Sequence, residues 1–168
     1  ERVDTVVAEI AEVHGVDAAR GWVIDMASRV DVDALPNAVV AHFGRLDIVI
    51  NNAGVTQPAG FDADAVEFDE AWDVVMSVNL TAYARLARAA RVHLEASDAA
   101  RIVCTASTEA LGASGRVPAY NASKAGVIGL VRALAVELGR RGITTNAVCP
   151  GPIETGMTAA IPEEHRDT

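Results

Sequence analysis

The chain has 168 residues and a formal net charge of −9 at pH 7, a length that suits one domain able to bury roughly 70% of its unfolded surface. The acidic balance argues against a nucleic-acid partner and against binding to an anionic membrane. No apolar run reaches the roughly 18 residues that a spanning helix needs, and residues 1–14 do not resemble a signal peptide. Cys104 and Cys149 each end an apolar run, which favours reduced, buried thiols in a cytoplasmic protein over a disulfide or a metal site.

Helical apolar patterns alternate with short apolar runs along the chain, which predicts helices alternating with buried strands. Such an alternation predicts an α/β fold with right-handed crossovers and a parallel sheet covered on both faces. In chain order the predicted elements are a helix closed by Gly15, a strand at 21–25, a helix at 32–43, a strand at 46–50, a loop at 55–67, a helix at about 68–95, a strand at 102–105, a helix at 120–139 and a strand at 144–148.

The helix predicted at 32–43 carries its own boundary signals. Asp31 is the predicted N-cap, and Gly44 stands just past the predicted end. Pro36 is compatible with this helix only in its first turn, because a later proline removes a backbone hydrogen bond.

Polar and small residues follow each predicted strand, at the edge of the sheet where ligands bind in open parallel α/β folds. Ser107 follows the strand at 102–105, residues 51–54 (Asn-Asn-Ala-Gly) follow the strand at 46–50, and Asp25 ends the first strand. Small residues after a strand let a flat ligand approach the backbone, and Asn amides both donate and accept. Each feature alone also fits a plain turn, a capping acid or a strand-end serine.

Tyr120 and Lys124 are four residues apart, so on a helix they share one face. A free phenol has a pKa of about 10 and exchanges protons poorly at neutral pH. A nearby ammonium stabilises a phenolate and lowers the pKa of a phenol. The pair is therefore a candidate general acid or base, with Ser107 placed by a loop to bond the same substrate oxygen. Many amphipathic helices carry this spacing by chance.

Two further features are ambiguous when taken alone. Asn79 stands inside an apolar helical pattern, where a solvent-facing or back-bonded side chain is the plain alternative. Pro150 and Gly151 follow the last predicted strand, where they also fit a simple stop signal.

Taken together and in this order, these features resemble the short-chain dehydrogenase/reductase family. The most specific segments are residues 46–54 (Leu-Asp-Ile-Val-Ile-Asn-Asn-Ala-Gly) and 120–124 (Tyr-Asn-Ala-Ser-Lys), and the resemblance runs from Ile10 to Glu164. Within the family the chain is most similar to 3-oxoacyl-carrier-protein reductases and to sugar and alcohol dehydrogenases. The resemblance implies a Rossmann-like, doubly wound parallel sheet in a single dinucleotide-binding domain over residues 1–168.

The resemblance implies a hydride transfer between NAD or NADP and a carbonyl or secondary alcohol, and it assigns roles residue by residue. Tyr120 would exchange the substrate proton, Lys124 would assist it and hold the nicotinamide ribose, and Ser107 would bond the substrate oxygen. Asn79 would hold a helix kink and a water chain to Lys124. The implied cofactor contacts are Asp25 and Met26 at the adenine, Asn51, Asn52, Ala53 and Gly54 at the adenosine ribose, and Pro150, Gly151, Ile153 and Thr155 at the nicotinamide.

The chain departs from the family pattern at both ends. The family opens with a strand, a Gly-rich turn, a helix and a second strand, whereas Gly-x-Gly-x-x-Gly is absent throughout this sequence. The final strand of the family is also missing. With a sheet order of 3-2-1-4-5-6, the predicted sheet would have a gap at its centre and no helix N-terminus for the pyrophosphate. We therefore expect these residues to be part of a longer enzyme.

Three functions remain open at this stage. The first is a nicotinamide-dependent oxidoreductase, the second is a non-catalytic relic used for binding or assembly, and the third is an isomerase or dehydratase of the same wider fold. The helices at 68–95 and 120–139 carry more apolar residues than one sheet face covers, which predicts a homodimer or homotetramer. The sequence does not distinguish NAD from NADP, and it does not identify the substrate.

Overall fold

A computed structural model describes residues 2–153, and over that range helices alternate with strands as the sequence predicts. Local signals place several boundaries: Gly44 ends its helix with a φ of +79°, and Pro118 opens the longest helix, where its missing N–H is no loss. The helices are α1 (Arg2–His14), α2 (Arg29–Phe43), α3 (Ala65–Met76), α4 (Ala82–Leu94) and α5 (Pro118–Gly139), and the strands are β1 (Ile48–Asn51), β2 (Arg101–Thr105) and β3 (Thr144–Val148).

The three strands form one parallel sheet in the order β1-β2-β3. Asn51 pairs with Cys104, and Cys104 pairs with Ala147, so all three strands end at the same edge. The predicted gap lies between the strands expected at 21–25 and at 46–50, and it is not seen among the described residues because residues 21–25 form no strand. The sheet is therefore the half of the predicted order that begins at the strand of residues 46–50.

One face of the sheet packs against helices, and that contact forms the core. Side chains from β1 and β2, such as Val49 and Ile102, alternate inward and meet α2, α4 and α5. The largest fully buried apolar side chains of this core are Tyr83, Leu94, Ile102, Ile143, Val32 and Val127.

The opposite face of the sheet is open over residues 2–153, so the described residues cover only one of the two faces that are predicted to be covered. Ile48 and Ile50 are 54% and 64% exposed, and Val148 is 53% exposed. Parallel sheets are ordinarily buried on both faces, which explains the apolar outward positions. In the described residues α2, α4 and α5 all pack on one side, so nothing covers these positions.

The predicted strand at residues 21–25 is not formed. A strand exists only through hydrogen bonds to a neighbour, and the described residues place no strand beside this segment. Trp22 instead packs edge-on against His42 and Phe43 at the end of α2, with ring centroids 6.2 Å and 6.4 Å apart. The apolar pattern of residues 21–25 is typical of a strand, but the pattern alone does not supply the neighbouring strand that hydrogen bonding requires.

Two details of α2 also differ from the prediction. The N-cap is Ser28 rather than Asp31, because the Ser28 hydroxyl accepts a hydrogen bond from the Asp31 N–H at 3.3 Å. The helix consequently starts three residues earlier than predicted, at Arg29, and Pro36 lies beyond its first turn. Pro36 has no N–H and cannot make the helical backbone hydrogen bond at this position. Its side chain is buried, and this packing offsets part of that loss.

The predicted long helix at 68–95 contains a π-helical turn at Ser77–Thr81 that joins α3 to α4. The Ala82 N–H donates to the Ser77 carbonyl, five residues back, so one extra residue is inserted into the helix. Such turns occur frequently at functional sites. Among residues 2–153, no helix combines the length and the apolar character that crossing a membrane requires.

Candidate active site

The π-helical turn carries Asn79 into the interior of the molecule. The side chain is fully buried; its Oδ1 accepts from the Val55 N–H at 2.9 Å, and its Nδ2 donates to the Val55 carbonyl at 2.9 Å. Neither a solvent-facing nor a back-bonded Asn79 is therefore correct. The Asn79 amide thus bonds both the N–H and the carbonyl of Val55, and it connects the helix to the loop that follows β1.

Ser123 joins Asn79 to α5. Its hydroxyl accepts a second bond from Asn79 Nδ2 at 3.1 Å and donates to the Tyr120 carbonyl at 2.7 Å. Ser123 is fully buried, so these bonds have no competing water on its side chain. A continuous hydrogen-bonded chain thus runs from Val55 through Asn79 and Ser123 to the backbone of Tyr120.

Lys124 lies one helical turn after Tyr120 and reaches across to the end of β2. Its Nζ donates to the Thr105 carbonyl at 2.7 Å and lies 5.6 Å from the centre of the Tyr120 ring. The side chain is only 3% exposed, and this burial lowers the pKa of Lys124 because water no longer stabilises the charge. The ammonium of Lys124 therefore lies next to the ring of Tyr120 at the carboxyl edge of the sheet.

Ser107 stands two residues beyond β2, at the same edge, and is 7% exposed. Its Oγ accepts from the Glu109 N–H at 3.2 Å, which opens a short 3₁₀ turn at Thr108–Ala110. The Thr108 N–H donates to the Pro150 carbonyl at 3.0 Å. The Ser107 loop and the segment after β3 are thereby held side by side.

The turn at residues 51–54 lies directly against Asn79 and Lys124. A Cβ placed on Gly54 would lie 3.6 Å from Asn79 Oδ1 and 3.7 Å from Lys124 Nζ, so the backbone of this turn approaches both groups closely. Asn52 Oδ1 accepts from the Thr105 hydroxyl at 3.0 Å. The turn is thus fixed to β2 as well as to the helix.

Asn51 is the buried member of this turn. Its Nδ2 lies 3.5 Å from the Cys104 sulfur, and burial raises the pKa of that thiol, so it stays neutral. The Asn51 Oδ1 is buried and has no partner within the described part of the chain. It is a free acceptor at the first position of the Asn-Asn-Ala-Gly segment.

The other predicted residues lie in two segments, one before α2 and one after β3. Asp25 Oδ1 accepts from the Ala27 N–H at 2.8 Å and so organises the approach to α2, while Met26 packs on the core. Gly151 is exposed, and Ile153 is 57% exposed. Thr155 lies outside the described residues.

Sequence reasoning missed three residues that hold the site together: Ser123, Thr105 and Tyr83. Thr105 contributes its carbonyl to Lys124 and its hydroxyl to Asn52. The Tyr83 hydroxyl donates to the Ala53 carbonyl at 3.0 Å. Only Ser123 gave a sequence signal, because a polar residue three positions after Tyr120 shares its helix face.

Comparison with known proteins identifies the family of the chain. A family model described as short chain dehydrogenase matches residues 1–166. The chain belongs to the short-chain dehydrogenase family. This membership confirms the family resemblance and the Rossmann-like fold expected from the sequence.

Individual relatives fall in the expected branch of the family. The chain is 42% identical over 144 residues to the BbsD subunit of (2S)-[(R)-hydroxy(phenyl)methyl]succinyl-CoA dehydrogenase from Thauera aromatica, covering 86% of this chain and 56% of that protein. It is 39% identical over 163 residues to the 3-oxoacyl-[acyl-carrier-protein] reductase FabG of Pseudomonas aeruginosa, covering 96% and 64%. The chain thus spans less than two thirds of the length of these relatives.

A solved structure gives the same result in three dimensions. A crystal structure from Beutenbergia cavernae, assigned as an NAD(P)-dependent gluconate 5-dehydrogenase with NADP bound at low occupancy, superposes with a TM-score of 0.84 at 35% identity. The match covers 94% of this chain and 61% of that chain. The fold of the described residues is therefore that of the corresponding part of a short-chain dehydrogenase.

The residues present fit one part of a nicotinamide dinucleotide. The ammonium of Lys124 and the close backbone approach at Gly54 suit ribose hydroxyls, which both donate and accept. The Gly-rich turn that binds a pyrophosphate is not in the sequence. The residues present therefore fit the ribose hydroxyls of such a cofactor, and they do not include the turn that would bind its phosphates.

Proposed function

We propose that the protein is an NAD(P)-dependent oxidoreductase that acts on a carbonyl or secondary alcohol. The observation that carries this proposal is the pairing of Lys124 with Tyr120, with Nζ 5.6 Å from the ring centre, at the edge of the sheet where ligands bind. The NAD(P) dependence named for the Beutenbergia cavernae protein supports the same reaction class.

In the proposed reaction, Tyr120 is the general acid of carbonyl reduction. Its hydroxyl proton passes to the substrate oxygen as a hydride reaches the carbonyl carbon, and the reverse occurs in alcohol oxidation. The cofactor, when bound, supplies or accepts that hydride at C4 of its nicotinamide ring. The ammonium of Lys124 stabilises the phenolate left on Tyr120, and the hydroxyl of Ser107 holds the substrate oxygen.

Asn79 has a positioning role in this proposal. Its two bonds to Val55 and its bond to Ser123 connect the loop after β1 to the segment of α5 that carries Tyr120 and Lys124. The proposed cofactor contacts are Asp25 and Met26 at the adenine, residues 51–54 at the adenosine ribose, Lys124 at the nicotinamide ribose, and Pro150, Gly151, Ile153 and Thr155 at the nicotinamide.

The proposal includes assembly into a homodimer or homotetramer in the cytoplasm. On α5, four apolar or small residues are exposed along one face, and Val136 is 77% exposed. An apolar helix face left open by its own chain is favoured to pack on another protein surface. Those residues are Ala125, Gly129, Ala133 and Val136. Sedimentation of the natural protein at micromolar concentration tests this, and a clean monomer would contradict it.

We further propose that residues 1–168 are one part of the dinucleotide-binding domain of a longer enzyme. The chain covers 56% to 64% of the relatives named above, and the open apolar face of the sheet supports a missing layer. Intact-mass measurement of the natural protein tests this proposal. A mass near the 17.5 kDa of this chain would contradict it.

A screen at 340 nm tests the proposed function directly, with NADH and NADPH against a panel of ketones and with NAD and NADP against alcohols. Turnover of one cofactor in step with substrate supports it. A protein that binds neither cofactor by calorimetry would instead be the non-catalytic relic. A protein that converts substrate without consuming free cofactor would be an isomerase or dehydratase.

A further inference from the structure

Tyr83 is the second residue of α4 and lies four positions after Asn79, just beyond the π-helical turn. It is fully buried, although it carries a polar hydroxyl. A buried hydroxyl needs a hydrogen-bond partner to offset its loss of water. The Tyr83 hydroxyl finds that partner in the Ala53 carbonyl at 3.0 Å.

The two side chains hold the same turn from either side of Gly54. Asn79 bonds both backbone groups of Val55, and Tyr83 bonds the backbone of Ala53. Burial raises the pKa of Tyr83, which keeps its hydroxyl protonated and therefore a constant donor. The turn at 52–55 is thus clamped at the residue before Gly54 and at the residue after it.

The ring of Tyr83 also faces the proposed catalytic lysine. Lys124 Nζ lies 5.8 Å from the centre of the Tyr83 ring, within the range of a cation–π contact, and 5.6 Å from the Tyr120 ring on another side. A buried ammonium loses hydration, and two aromatic faces replace part of it. Tyr83 therefore contacts both the turn and the lysine.

We propose that Tyr83 is a positioning residue that fixes residues 52–55 against Lys124, so that this turn is set to receive the adenosine ribose of the cofactor. This inference rests on the proposed function for the identity of the ligand. Tyr83 is not a second general acid, because its hydroxyl is committed to Ala53 and has no free path to a substrate oxygen. Its effect on the reaction passes through the turn and through Lys124.

The test compares Tyr83→Phe with Ile143→Val in the natural full-length protein. Tyr83→Phe removes only the hydroxyl and keeps the ring beside Lys124. Ile143→Val removes one buried methylene next to β3, away from the site, and serves as a control for a small loss of core stability. Two measurements are made: hydrogen–deuterium exchange of the segment containing residues 52–55, and the dissociation constants of NADH and NADPH.

We expect Tyr83→Phe to speed exchange in that segment and to weaken cofactor binding, each by about 3- to 10-fold, the loss expected for one ordinary hydrogen bond. The dissociation constant should rise by more than kcat falls, because the reacting groups themselves are intact. Ile143→Val should change neither quantity at this segment.

Unchanged exchange at residues 52–55 in Tyr83→Phe would overturn the inference. Faster exchange with unchanged cofactor affinity would also overturn it, because the clamp would then not set the binding turn. An equal rise in Kd for Ile143→Val would overturn it by showing a general stability effect. Faster exchange in Tyr83→Phe together with no cofactor binding by the wild type would support the clamp and sink the proposed oxidoreductase function.

Discussion

The two edges of the sheet hold their polar groups in opposite ways. At the carboxyl edge, Asn79 and Ser123 are fully buried, and Lys124 is 3% exposed. At the amino edge, Arg45 is 65% exposed and pairs with Asp47 at 2.7 Å, while Arg141 pairs with Glu95 at 2.6 Å on the surface. The carboxyl edge carries a network of hydrogen bonds between buried groups, and the amino edge carries ion pairs between exposed groups.

This contrast indicates which edge of the sheet carries the candidate active site. Exposed ion pairs contribute little to stability, because water stabilises their separated charges almost as well. A buried amide or ammonium that loses its partner is costly. Each buried polar group therefore has to stay close to its hydrogen-bond partner. At the carboxyl edge this requirement places Lys124 beside Tyr120.

The largest expected effect comes from Tyr120→Phe, which removes the phenol oxygen alone. We expect turnover to fall by roughly 10²- to 10⁴-fold, the usual contribution of a general acid, while the circular dichroism spectrum and the melting temperature stay close to wild type. Steady-state rates with the best substrate from the cofactor screen provide the measurement. A variant that keeps more than about a tenth of the wild-type rate would assign the proton to another residue.

Lys124→Met should lower both turnover and cofactor affinity, because one ammonium serves the phenol and the ribose. It should also move the pH optimum of alcohol oxidation upward, since the phenolate of Tyr120 loses its stabilising charge. The control is Arg140→Met, which removes an exposed cation just after α5. If the pH profile and the cofactor affinity of Lys124→Met both match that control, Lys124 has no role in the reaction.

Asn79→Ala tests the buried network through stability. The change leaves Val55 without its two side-chain bonds and Ser123 without its donor, so we expect a loss of roughly 2–4 kcal/mol in the free energy of unfolding. Asn37→Ala is the matched control, because Asn37 makes a surface hydrogen bond to His93 and should cost less than about 0.5 kcal/mol. Equal losses in urea titrations of the two variants would remove the contrast between the edges.

The smallest effect is expected at the amino edge, and it depends on pH. Hydrogen bonds from Arg45 and Ser97 lower the pKa of Asp47 from 3.8 to about 2. The carboxylate thus adds stability above pH 3.8, and this contribution is lost as the pH falls towards about 2. The stability difference between wild type and Asp47→Asn should therefore narrow across that window in acid unfolding curves. A constant difference would show that the ion pair is not formed in solution.

The sequence predicted those parts of the fold that follow from neighbouring residues or from the general geometry of parallel sheets. Gly44 ends α2 through its own backbone freedom, and the ends of β1 and β2 bring residues 51–54 and Ser107 to one edge through the geometry of parallel strands. Tyr120 and Lys124 meet because a helix places residues four apart on one face. The helix end and the Tyr120–Lys124 spacing need only neighbouring residues, whereas the shared edge needs only the general rule that consecutive strands of such a fold run parallel.

The parts that sequence reasoning missed depend on distant partners. Residues 21–25 have the apolar pattern of a strand but no strand beside them in the described structure, and periodicity carries no information about a partner. The π-helical turn at Ser77–Thr81 changes the pattern by one residue only. The Tyr83–Ala53 bond joins residues 30 positions apart, and a tyrosine in an apolar helix face gives no sign of it.

The most direct test of the account is the transfer of deuterium from a cofactor labelled at C4. The natural full-length protein is incubated with NADH or NADPH deuterated on either face of the nicotinamide and with a ketone substrate from the screen, and the alcohol is analysed by mass spectrometry. If hydride transfer occurs as proposed, one of the labelled faces delivers deuterium to the carbinol carbon, and Tyr120→Phe nearly abolishes this product. An alcohol that carries no deuterium from either face would contradict hydride transfer and with it the proposed function.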